Sequence, residues 1–362
     1  MVRVSDGQDD TIARRLRIQA EWCGRLGSPL YESLLMRCAA DVEADGPVGR
    51  VLAEPSADAW GGGGGTLGGE AIALRLMGAA HRMVLRGDAP ALALFYPSVG
   101  GKPDPDGAWE AFRDLAEEHP EALGAEIPQP VQTNEVRRSA ALAGGFMTLA
   151  RDVGLPLRLL EVGASAGLNL RFDRYRFEAG EVAWGNPHSP VKIRAAWESG
   201  RPPVDQAVDV AERRGCDPSP VDPTTPDGRL LLLSFVWPDQ LDRLTVLRGA
   251  LDLAEEVAAP VDRADGESWV AAQLAEPAPR AATVVYHSVV MPYLDHEARV
   301  RFEAVVTEAG ERATGAAPLA WLRMEPGGEQ AELRLTTWPG GEERLLAACG
   351  FQGRPVHWLA DR

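Results

Sequence analysis

Long apolar runs are missing from this sequence. No stretch approaches the ~18 consecutive apolar residues that a membrane-spanning helix needs, so we expect no membrane partner. Residues 1–10 are polar and acidic, and they lack the apolar segment of a secretory signal. These two absences predict a cytoplasmic protein.

Paired cysteines and metal-binding spacings are missing as well. The four cysteines, Cys23, Cys38, Cys216 and Cys349, lie far apart and form no C-x-x-C pair. This spacing argues against a zinc knuckle and against a disulfide framework, and it fits a reducing compartment. The six histidines show no H-x-x-x-H or similar ligand spacing, so we expect no metal.

Positive charge is in deficit. The 53 acidic residues outnumber the 37 lysines and arginines, which gives a formal net charge of −16. A surface of that sign repels a phosphate backbone, so we expect a small molecule rather than a nucleic acid as the partner. The hydrophobic share of 45% is ordinary for a globular protein, and 362 residues suffice for two domains.

The spacing of apolar residues changes near residue 154. Up to residue 153 it is mostly helical, with a long helix predicted for residues 132–152 and a loop at the glycine run of residues 61–65. Over residues 154–362 short apolar strands alternate with helices, which is typical of a mostly parallel sheet. We predict an α-helical N-terminal region followed by an α/β domain, with an insert at about residues 172–206 that leaves the sheet as a hairpin or lid.

The secondary structure of two later segments determines how the following strands are numbered. The run Leu230-Leu231-Leu232-Leu233 predicts a buried strand over residues 230–236, because parallel strands are apolar on both faces. Residues 343–349 predict a short helical segment between the last two strands. We place Trp237, Asp239 and Gln240 in a substrate-facing loop after the strand at residues 230–236. The alternative for Trp237 is a strand end packed on the core.

The most informative segment is a strand followed by a turn of small residues. Residues 157–162 form the predicted strand, and the turn is Gly163-Ala164-Ser165-Ala166-Gly167. Small residues let a ligand approach the backbone, and the free N–H groups of the following helix start can bind it. Ligands of open α/β sheets bind beyond the carboxyl ends of strands, which is where this turn is expected.

Two ligand classes fit the turn incompletely. A dinucleotide site needs G-x-G-x-x-G, but Ser165 and Leu168 stand where the second and third glycines belong. The nucleophile elbow of a serine hydrolase needs G-x-S-x-G, which the turn matches letter for letter. That elbow normally follows several strands, whereas the preceding residues here have helical spacing and include no His-Gly-Gly oxyanion segment.

The hydrolase alternative names specific partners for its nucleophile. Ser165 would act with His287 or His357 as the base and with Asp239 or Asp265 as the orienting acid. This alternative stays open at the level of the sequence.

The third class is the turn that binds S-adenosylmethionine, an acid followed by one residue and then Gly-x-Gly-x-Gly. Glu161-x-Gly163-x-Ser165-x-Gly167 resembles it with one Gly→Ser departure. Later segments resemble the ends of the second to fifth strands of such methyltransferases, in order: Arg214 to Pro220, Ala264-Asp265-Gly266, Thr283 to Leu294, and Leu319 to Pro326. The interval from Glu161 to Asp217 departs from the pattern, because ~20 residues usually separate two such acids.

The methyltransferase resemblance implies a role for each acid. Glu161 would face the positively charged methionine end of the cofactor; the alternative is an ion pair with Arg137 or Arg138. Asp217 would hold the ribose hydroxyls, since a carboxylate accepts both protons at once. Asp265 would meet the adenine, or serve only as a turn acid.

One histidine lies at the end of a predicted strand. His287 follows the apolar residues 283–286, so its side chain is expected near the carboxyl edge of the sheet. The pKa of a histidine lies near neutrality, which makes His287 a candidate general base for catalysis. The alternative is a hydrogen-bonded histidine of the core.

Nearly the full chain resembles a bacterial family known as domain of unknown function 2332. The resemblance rests on Thr133-Asn134-Glu135-Val136-Arg137-Arg138, on residues 161–169, on Val236-Trp237-Pro238-Asp239-Gln240 and on residues 321–326. It implies no activity.

From the residues and the methyltransferase resemblance we predict two parts. Residues 1–153 form a helical cap that contributes to substrate binding, and residues 154–362 form a Rossmann-like methyltransferase domain. Tyr175, Trp184 and Trp197 of the insert would line the acceptor pocket together with the N-terminal helices. The remaining alternative is a methyltransferase-like binding module without catalysis.

Overall fold

The computed structural model describes residues 11–53 and 71–360, so the predicted glycine loop at residues 61–65 lies outside the described residues. The chain divides into two compact units. The first unit takes the chain up to Gln132 and also Leu230–Leu244, and the second takes Thr133–Arg229 and the chain from Thr245 onward. The division therefore differs from the predicted boundary at residues 153 and 154.

Several helices begin where the sequence supplies a cap or a proline in the first turn. Ser28, for example, accepts a hydrogen bond from the Tyr31 amide, and Pro29 follows it at the first helical position. In chain order the helices are α1 (Ile12–Arg25), α2 (Pro29–Glu43), α3 (Pro47–Ala53), α4 (Ala71–Arg86), α5 (Pro90–Ala93), α6 (Pro105–Glu118), α7 (Pro120–Glu126), α8 (Ser139–Val153), α9 (Pro226–Ser234), α10 (Leu241–Glu256), α11 (Gly266–Gln273) and α12 (His296–Glu311).

The first unit is a helical bundle with an apolar core. Leu16, Leu34, Leu76 and Phe112, from α1, α2, α4 and α6, are fully buried in this core. No helix among the described residues combines the length and the apolar character needed to cross a bilayer.

The prediction of a strand at residues 230–236 is wrong. The leucine run belongs to α9. A short apolar run fits a buried helix as well as a buried strand, and periodicity cannot distinguish the two.

The second unit contains an eight-stranded sheet in the order β11-β10-β9-β8-β7-β1-β5-β6. The pairs β6–β5, β5–β1, β1–β7 and β7–β8 are parallel, and the pairs from β8 to β11 are antiparallel. The strands of the chain are β1 (Leu157–Val162), β2 (Arg176–Ala179), β3 (Val182–Gly185), β4 (Lys192–Arg194), β5 (Val210–Asp217), β6 (Val261–Arg263), β7 (Ala282–Ser288), β8 (Leu319–Pro326), β9 (Ala331–Trp338), β10 (Glu342–Cys349) and β11 (Val356–Trp358). The second unit is therefore mixed α/β with a mostly parallel sheet, as the alternating pattern predicts.

Helices cover both faces of the parallel strands. On one face Phe146 of α8 packs edge-on against Tyr286 of β7, with ring centroids 5.0 Å apart. On the other face Trp269 of α11 and Phe302 of α12 share a core with Leu160 of β1. Alternate side chains of β1 and β7 therefore enter two separate layers of packing.

Two predicted helical segments differ from the structure. Residues 342–349 form strand β10 instead of a helix, because β10 pairs with β9 across the turn that contains Gly340 and Gly341. The long helix predicted for residues 132–152 begins only at Ser139, after a 3₁₀ turn at Val136–Arg138. The three preceding residues, 133–135, have no helical structure.

The insert is a small separate sheet. β2 pairs with β3 as an antiparallel hairpin and with β4 in parallel. This arrangement agrees with the prediction that the insert leaves the main sheet.

Candidate functional site

The carboxyl ends of five parallel strands share one edge of the large sheet. The chain passes from β1 to β5 and β6 on one side and then returns to β7 and β8 on the other. Such a reversal at β1 and β7 leaves a crevice beyond the strand ends, and ligands of open α/β sheets bind in that crevice. Of the predicted site residues, Glu161, Asp217 and His287 lie on the ends of β1, β5 and β7.

The turn after β1 has an unusual backbone. Gly163, Ser165 and Gly167 all have positive φ, at 68°, 53° and 65°. A Cβ atom on Gly163 would lie 2.6 Å from Cγ2 of Val290, so only glycine fits against the loop that follows β7. Ser165 adopts this conformation without being glycine, which requires the surrounding structure to hold it.

Asp217 holds the turn. Its Oδ2 accepts a hydrogen bond of 2.9 Å from the Ser165 amide, and its Oδ1 accepts one of 2.8 Å from the Ser219 amide. The amide of Val221 donates in turn to the Ser165 carbonyl at 3.1 Å. The carboxylate therefore joins the turns after β1 and β5, and each of its oxygens keeps capacity for a further hydrogen bond.

Glu161 is a buried acid, with 2% of its surface exposed. Its Oε2 accepts a hydrogen bond of 3.2 Å from the Tyr286 hydroxyl. The pKa of Glu161 is raised to about 8: burial is the main cause and the Asp217 charge adds to it, while the Tyr286 hydrogen bond and the charges of Arg171 and Arg138 act in the opposite direction. The predicted alternative, an ion pair of Glu161 with Arg137 or Arg138, is not found among residues 11–53 and 71–360. Arg138 donates instead to the carbonyls of Phe351 and Ser288, each at 2.9 Å.

Asp265 has a structural partner at the start of α11. Its Oδ1 accepts a 2.9 Å hydrogen bond from the Ser268 amide, and the Ser268 hydroxyl donates to Oδ2. These hydrogen bonds form an N-cap and lower the pKa of Asp265. The adenine contact implied by the resemblance therefore stays a prediction.

His287 has hydrogen-bond partners at both ring nitrogens and is fully buried. Nδ1 lies 2.6 Å from Oε1 of Glu325, and the Trp321 indole donates to Nε2 at 3.1 Å. The indole is only a donor, so Nε2 carries no proton and Nδ1 donates to Glu325. With both nitrogens engaged, this arrangement matches the core alternative, and a role of His287 as a general base stays a prediction.

The same glutamate fixes the loop after β7. Glu325 also accepts hydrogen bonds from the amides of Val290 and Met291, at 2.9 and 3.2 Å. Val289 has a φ of 56°, a conformation that costs a β-branched residue considerable strain. The loop that contacts Gly163 is thus held in one conformation.

The hydrolase alternative finds no support in this geometry. The base nearest in the sheet, His287, directs Nε2 to Trp321. The other candidate, His357, lies on strand β11, and its Nδ1 is 2.9 Å from the Ser199 hydroxyl. Neither histidine is hydrogen-bonded to Ser165 in the part of the chain that the structure describes.

The predicted substrate loop belongs to the helical unit. Asp239 accepts hydrogen bonds from the Ser28 hydroxyl at 2.6 Å and from the Leu30 amide at 3.2 Å, at the start of α2. Gln240 donates to the Leu26 carbonyl at 2.7 Å, and Trp237 is buried in the helical core. All three side chains therefore have structural contacts within that unit.

The aromatic residues of the insert also have internal partners. The Tyr175 hydroxyl donates to the Leu168 carbonyl at 2.5 Å, and the Trp197 indole donates to the Ala140 carbonyl at 3.0 Å. Trp184 stacks on Phe172 with centroids 6.1 Å apart. These rings pack within the second unit, and their role in acceptor binding stays a prediction.

Two asparagines at the site were not predicted from the sequence. Asn134 Oδ1 accepts a 2.9 Å hydrogen bond from the Leu168 amide, and Asn169 donates from Nδ2 to the Glu135 carbonyl at 3.4 Å. Oδ1 of Asn169 is buried and has no hydrogen-bond partner within residues 11–53 and 71–360. Residues 133–138 carry part of the family resemblance, although nothing in the sequence indicates which turn they would contact.

The same ranges contain no group of three His, Cys, Asp or Glu side chains that could hold a metal ion. The buried thiol of Cys216, at the end of β5, has its pKa raised to about 12, mainly by burial.

The chain belongs to a bacterial family described as an uncharacterized protein conserved in bacteria (DUF2332), whose model matches residues 13–358. No curated protein matches the chain, and no solved structure matches it.

Proposed function

We propose that this member of an uncharacterised bacterial family binds S-adenosylmethionine at the carboxyl edge of the large sheet and transfers its methyl group to a small molecule. The parallel strands support the proposal first. Numbered in chain order, β6, β5, β1, β7 and β8 read 3-2-1-4-5, which is the order of the Rossmann sheet. The turn Gly163–Gly167 follows the first of these strands.

The single observation that carries the proposal is the Glu161 carboxyl. A buried acid with one neutral hydrogen-bond partner, Tyr286, lacks a compensating cation at hydrogen-bonding distance among the described residues. A ligand that brings a positive charge would favour the carboxylate and offset its burial. The methionine end of S-adenosylmethionine carries such charge on its ammonium group and on its sulfur.

Asp217 and the backbone of the turn suit the nucleoside. Each Asp217 oxygen accepts one amide proton and keeps capacity for a hydroxyl proton, as a ribose would require. The turn at 163–167 carries no side chain larger than that of Ser165, and its first residue, Gly163, is exposed, so a ligand could approach the backbone there. These residues fit the cofactor.

In this reaction the protein mainly has to hold the cofactor and the acceptor in line. S-adenosylmethionine, when bound, would supply a methyl group on a positively charged sulfur: an acceptor lone pair would bond to the methyl carbon as the carbon–sulfur bond breaks in line, and S-adenosylhomocysteine would be the leaving group. Holding both reactants in that geometry accounts for much of the rate of such a transfer. Glu161 would balance the ligand charge, Asp217 would orient the ribose, and Glu325 would keep the loop after β7 in place. This division of roles requires no histidine base, in agreement with the engaged nitrogens of His287.

The test is calorimetric titration of the full chain with S-adenosylmethionine and S-adenosylhomocysteine. Wild type should bind both, and Glu161→Ala and Asp217→Ala should weaken binding by about tenfold or more, as expected for lost charge-assisted hydrogen bonds. Glu311→Ala, at an exposed acid on α12, is the matched control and should leave affinity unchanged. If folded wild type binds neither compound, the proposal is wrong.

A pH series adds a readout specific to Glu161. Because its pKa of about 8 belongs to the free protein, binding of a cation should release a proton near neutral pH. Affinity for S-adenosylhomocysteine should therefore rise from pH 6.5 to pH 8, and Glu161→Gln should remove the rise. A pH-independent affinity in wild type would mean that the ligand does not reach Glu161.

A further inference from the structure

Asn169 contains a buried acceptor that the protein leaves unused. Only 2% of the residue is exposed, and its Oδ1 has no hydrogen-bond partner within the described ranges. Burying an amide oxygen without a partner costs free energy, and buried polar atoms in native proteins nearly always have one. An orphaned acceptor beside a ligand-binding turn therefore indicates a donor that arrives from outside the chain.

The orientation of the amide identifies the oxygen as the free atom. Nδ2 lies 3.4 Å from the Glu135 carbonyl, to which it donates. Rotating the amide by half a turn would bring two oxygens together, so the hydrogen-bond network fixes the assignment.

The backbone around this amide is held firmly. The preceding residue, Leu168, donates its amide to Asn134, and its carbonyl accepts the Tyr175 hydroxyl. Asn169 thus follows the turn after β1 directly, on a segment with hydrogen bonds to both sides. A fixed acceptor of this kind is suited to position a ligand.

The Glu161 acid at the end of β1 favours a cationic donor. The nearby Arg171 guanidinium is committed to the carbonyls of Val257 and Gly167, at 2.7 and 2.8 Å. Glu161, at the end of the strand that precedes the turn, offers a second acceptor that has only the Tyr286 hydroxyl as its partner among the described residues. The Asn169 oxygen and the Glu161 carboxyl thus provide acceptors for N–H groups, and the Glu161 carboxylate would balance a positive charge.

We infer that the Asn169 side-chain carbonyl binds the α-ammonium group of an amino-acid-bearing ligand, which, if the proposed function holds, is the methionine part of S-adenosylmethionine. Asn169 therefore determines which ligands the site accepts. It selects nucleosides that carry an amino acid over nucleosides that lack one.

The experiment compares two probes in calorimetric titrations of the full chain. S-adenosylhomocysteine carries the amino acid, and 5′-methylthioadenosine has the same nucleoside and sulfur without it. Asn169→Ala should lower the affinity for S-adenosylhomocysteine by about tenfold, which is the effect of losing one charged hydrogen bond. It should change the affinity for 5′-methylthioadenosine by less than about twofold. Asn186→Ala, at an exposed asparagine of the insert, is the control and should change neither.

A second measurement needs no variant. Wild type should bind an S-adenosylhomocysteine analogue with hydrogen in place of the α-amino group about tenfold more weakly than the parent compound. Equal losses for both nucleosides in Asn169→Ala would overturn the inference while leaving the proposed cofactor site intact. Equal affinity of the wild type for S-adenosylhomocysteine and its analogue would overturn the inference and also the proposed role of Glu161 in balancing the ammonium charge. Failure of wild type to bind either nucleoside would overturn the proposed function and the inference with it.

Discussion

The hydroxyl of Tyr286 donates to the carboxyl of Glu161 across the two strands at which the chain reverses direction in the sheet. The two residues are register partners on β1 and β7, so this side-chain hydrogen bond joins the strand ends in addition to the backbone pairing of the strands. Both side chains are buried, and burial raises the pKa of each. The pair therefore keeps its protons at neutral pH and presents a neutral acid where a cationic ligand is proposed to bind.

The buried acid should make stability depend on pH. The pKa of Glu161 is about 8 in the folded chain against 4.5 in the unfolded one, so the folded state holds the proton more tightly. The contribution of Glu161 to the free energy of unfolding is fully present below pH 4.5. It is lost as the pH rises to about 8, at up to ~1.4 kcal/mol per pH unit. We expect Glu161→Gln to flatten the fall in the free energy of unfolding between pH 5 and pH 8.5, as measured by urea unfolding.

The control for this prediction is Glu311→Gln. That acid is exposed, so its removal should leave the slope of the wild type unchanged. A wild-type slope that persists in Glu161→Gln would show that other groups cause it.

The turn after β1 should be sensitive to a single methyl group. Gly163→Ala places a Cβ 2.6 Å from Val290 and also forces alanine into a left-handed conformation. The first effect should cost ~1–3 kcal/mol of unfolding free energy and the second ~1–2 kcal/mol. In a Val290→Ala background the clash disappears, and only the backbone cost should remain.

Gly180→Ala separates the two effects in the same protein. Gly180 has a φ of 61°, and a Cβ there would meet nothing within 4 Å. Gly180→Ala should lower the free energy of unfolding by the same amount as Gly163→Ala does in the Val290→Ala background. If the losses of unfolding free energy in Gly163→Ala and Val290→Ala simply added in the double variant, the contact between the new Cβ and Val290 would not be the cause of the loss.

A fluorophosphonate probe should not label Ser165. The serine is 5% exposed, and both histidines that could activate it are bonded elsewhere. Labelling followed by mass spectrometry, with a serine hydrolase as the positive control, measures this directly. Labelling of wild type that Ser165→Ala abolishes would restore the hydrolase alternative.

The sequence predicted the parallel strands better than the segments around them. Strand β1 and its turn were identified because an apolar run that ends in Glu161 and is followed by small residues is typical of a buried strand leading into a tight turn. The leucines of α9 were assigned to a strand because a fully apolar run has no period that distinguishes the two structures. Strand β10 was missed because Glu342 to Leu345 are partly or fully exposed and show no alternation of burial.

Long-range partners explain why the site was only partly predictable. Asp217 was identified as an acid of the site, but its hydrogen bond to Ser165 spans 52 positions of the sequence and has no local signature. His287 looked catalytic because a histidine at a strand end is chemically suggestive, and only its contact with Trp321 in three dimensions removes the free nitrogen. The orphaned oxygen of Asn169 depends on the absence of neighbours, which a sequence cannot express.

Asp239 tests the assignment of the predicted substrate loop to the helical unit. Its carboxylate accepts from the Ser28 hydroxyl and the Leu30 amide, which acts as a cap for the first turn of α2. Asp239→Ala should lower the free energy of unfolding by ~1–2 kcal/mol, as the loss of a helix cap does, without changing the affinity for S-adenosylhomocysteine.

A double-mutant cycle with Ser28→Ala identifies the cause of that loss. Because the 2.6 Å hydrogen bond joins the two side chains, the double variant should lose less free energy of unfolding than the sum of the single variants. Urea unfolding provides the four values, and calorimetry provides the affinity of each variant. If Asp239→Ala kept the stability of the wild type but weakened ligand binding, Asp239 would act on the ligand, as its position in the sequence indicated.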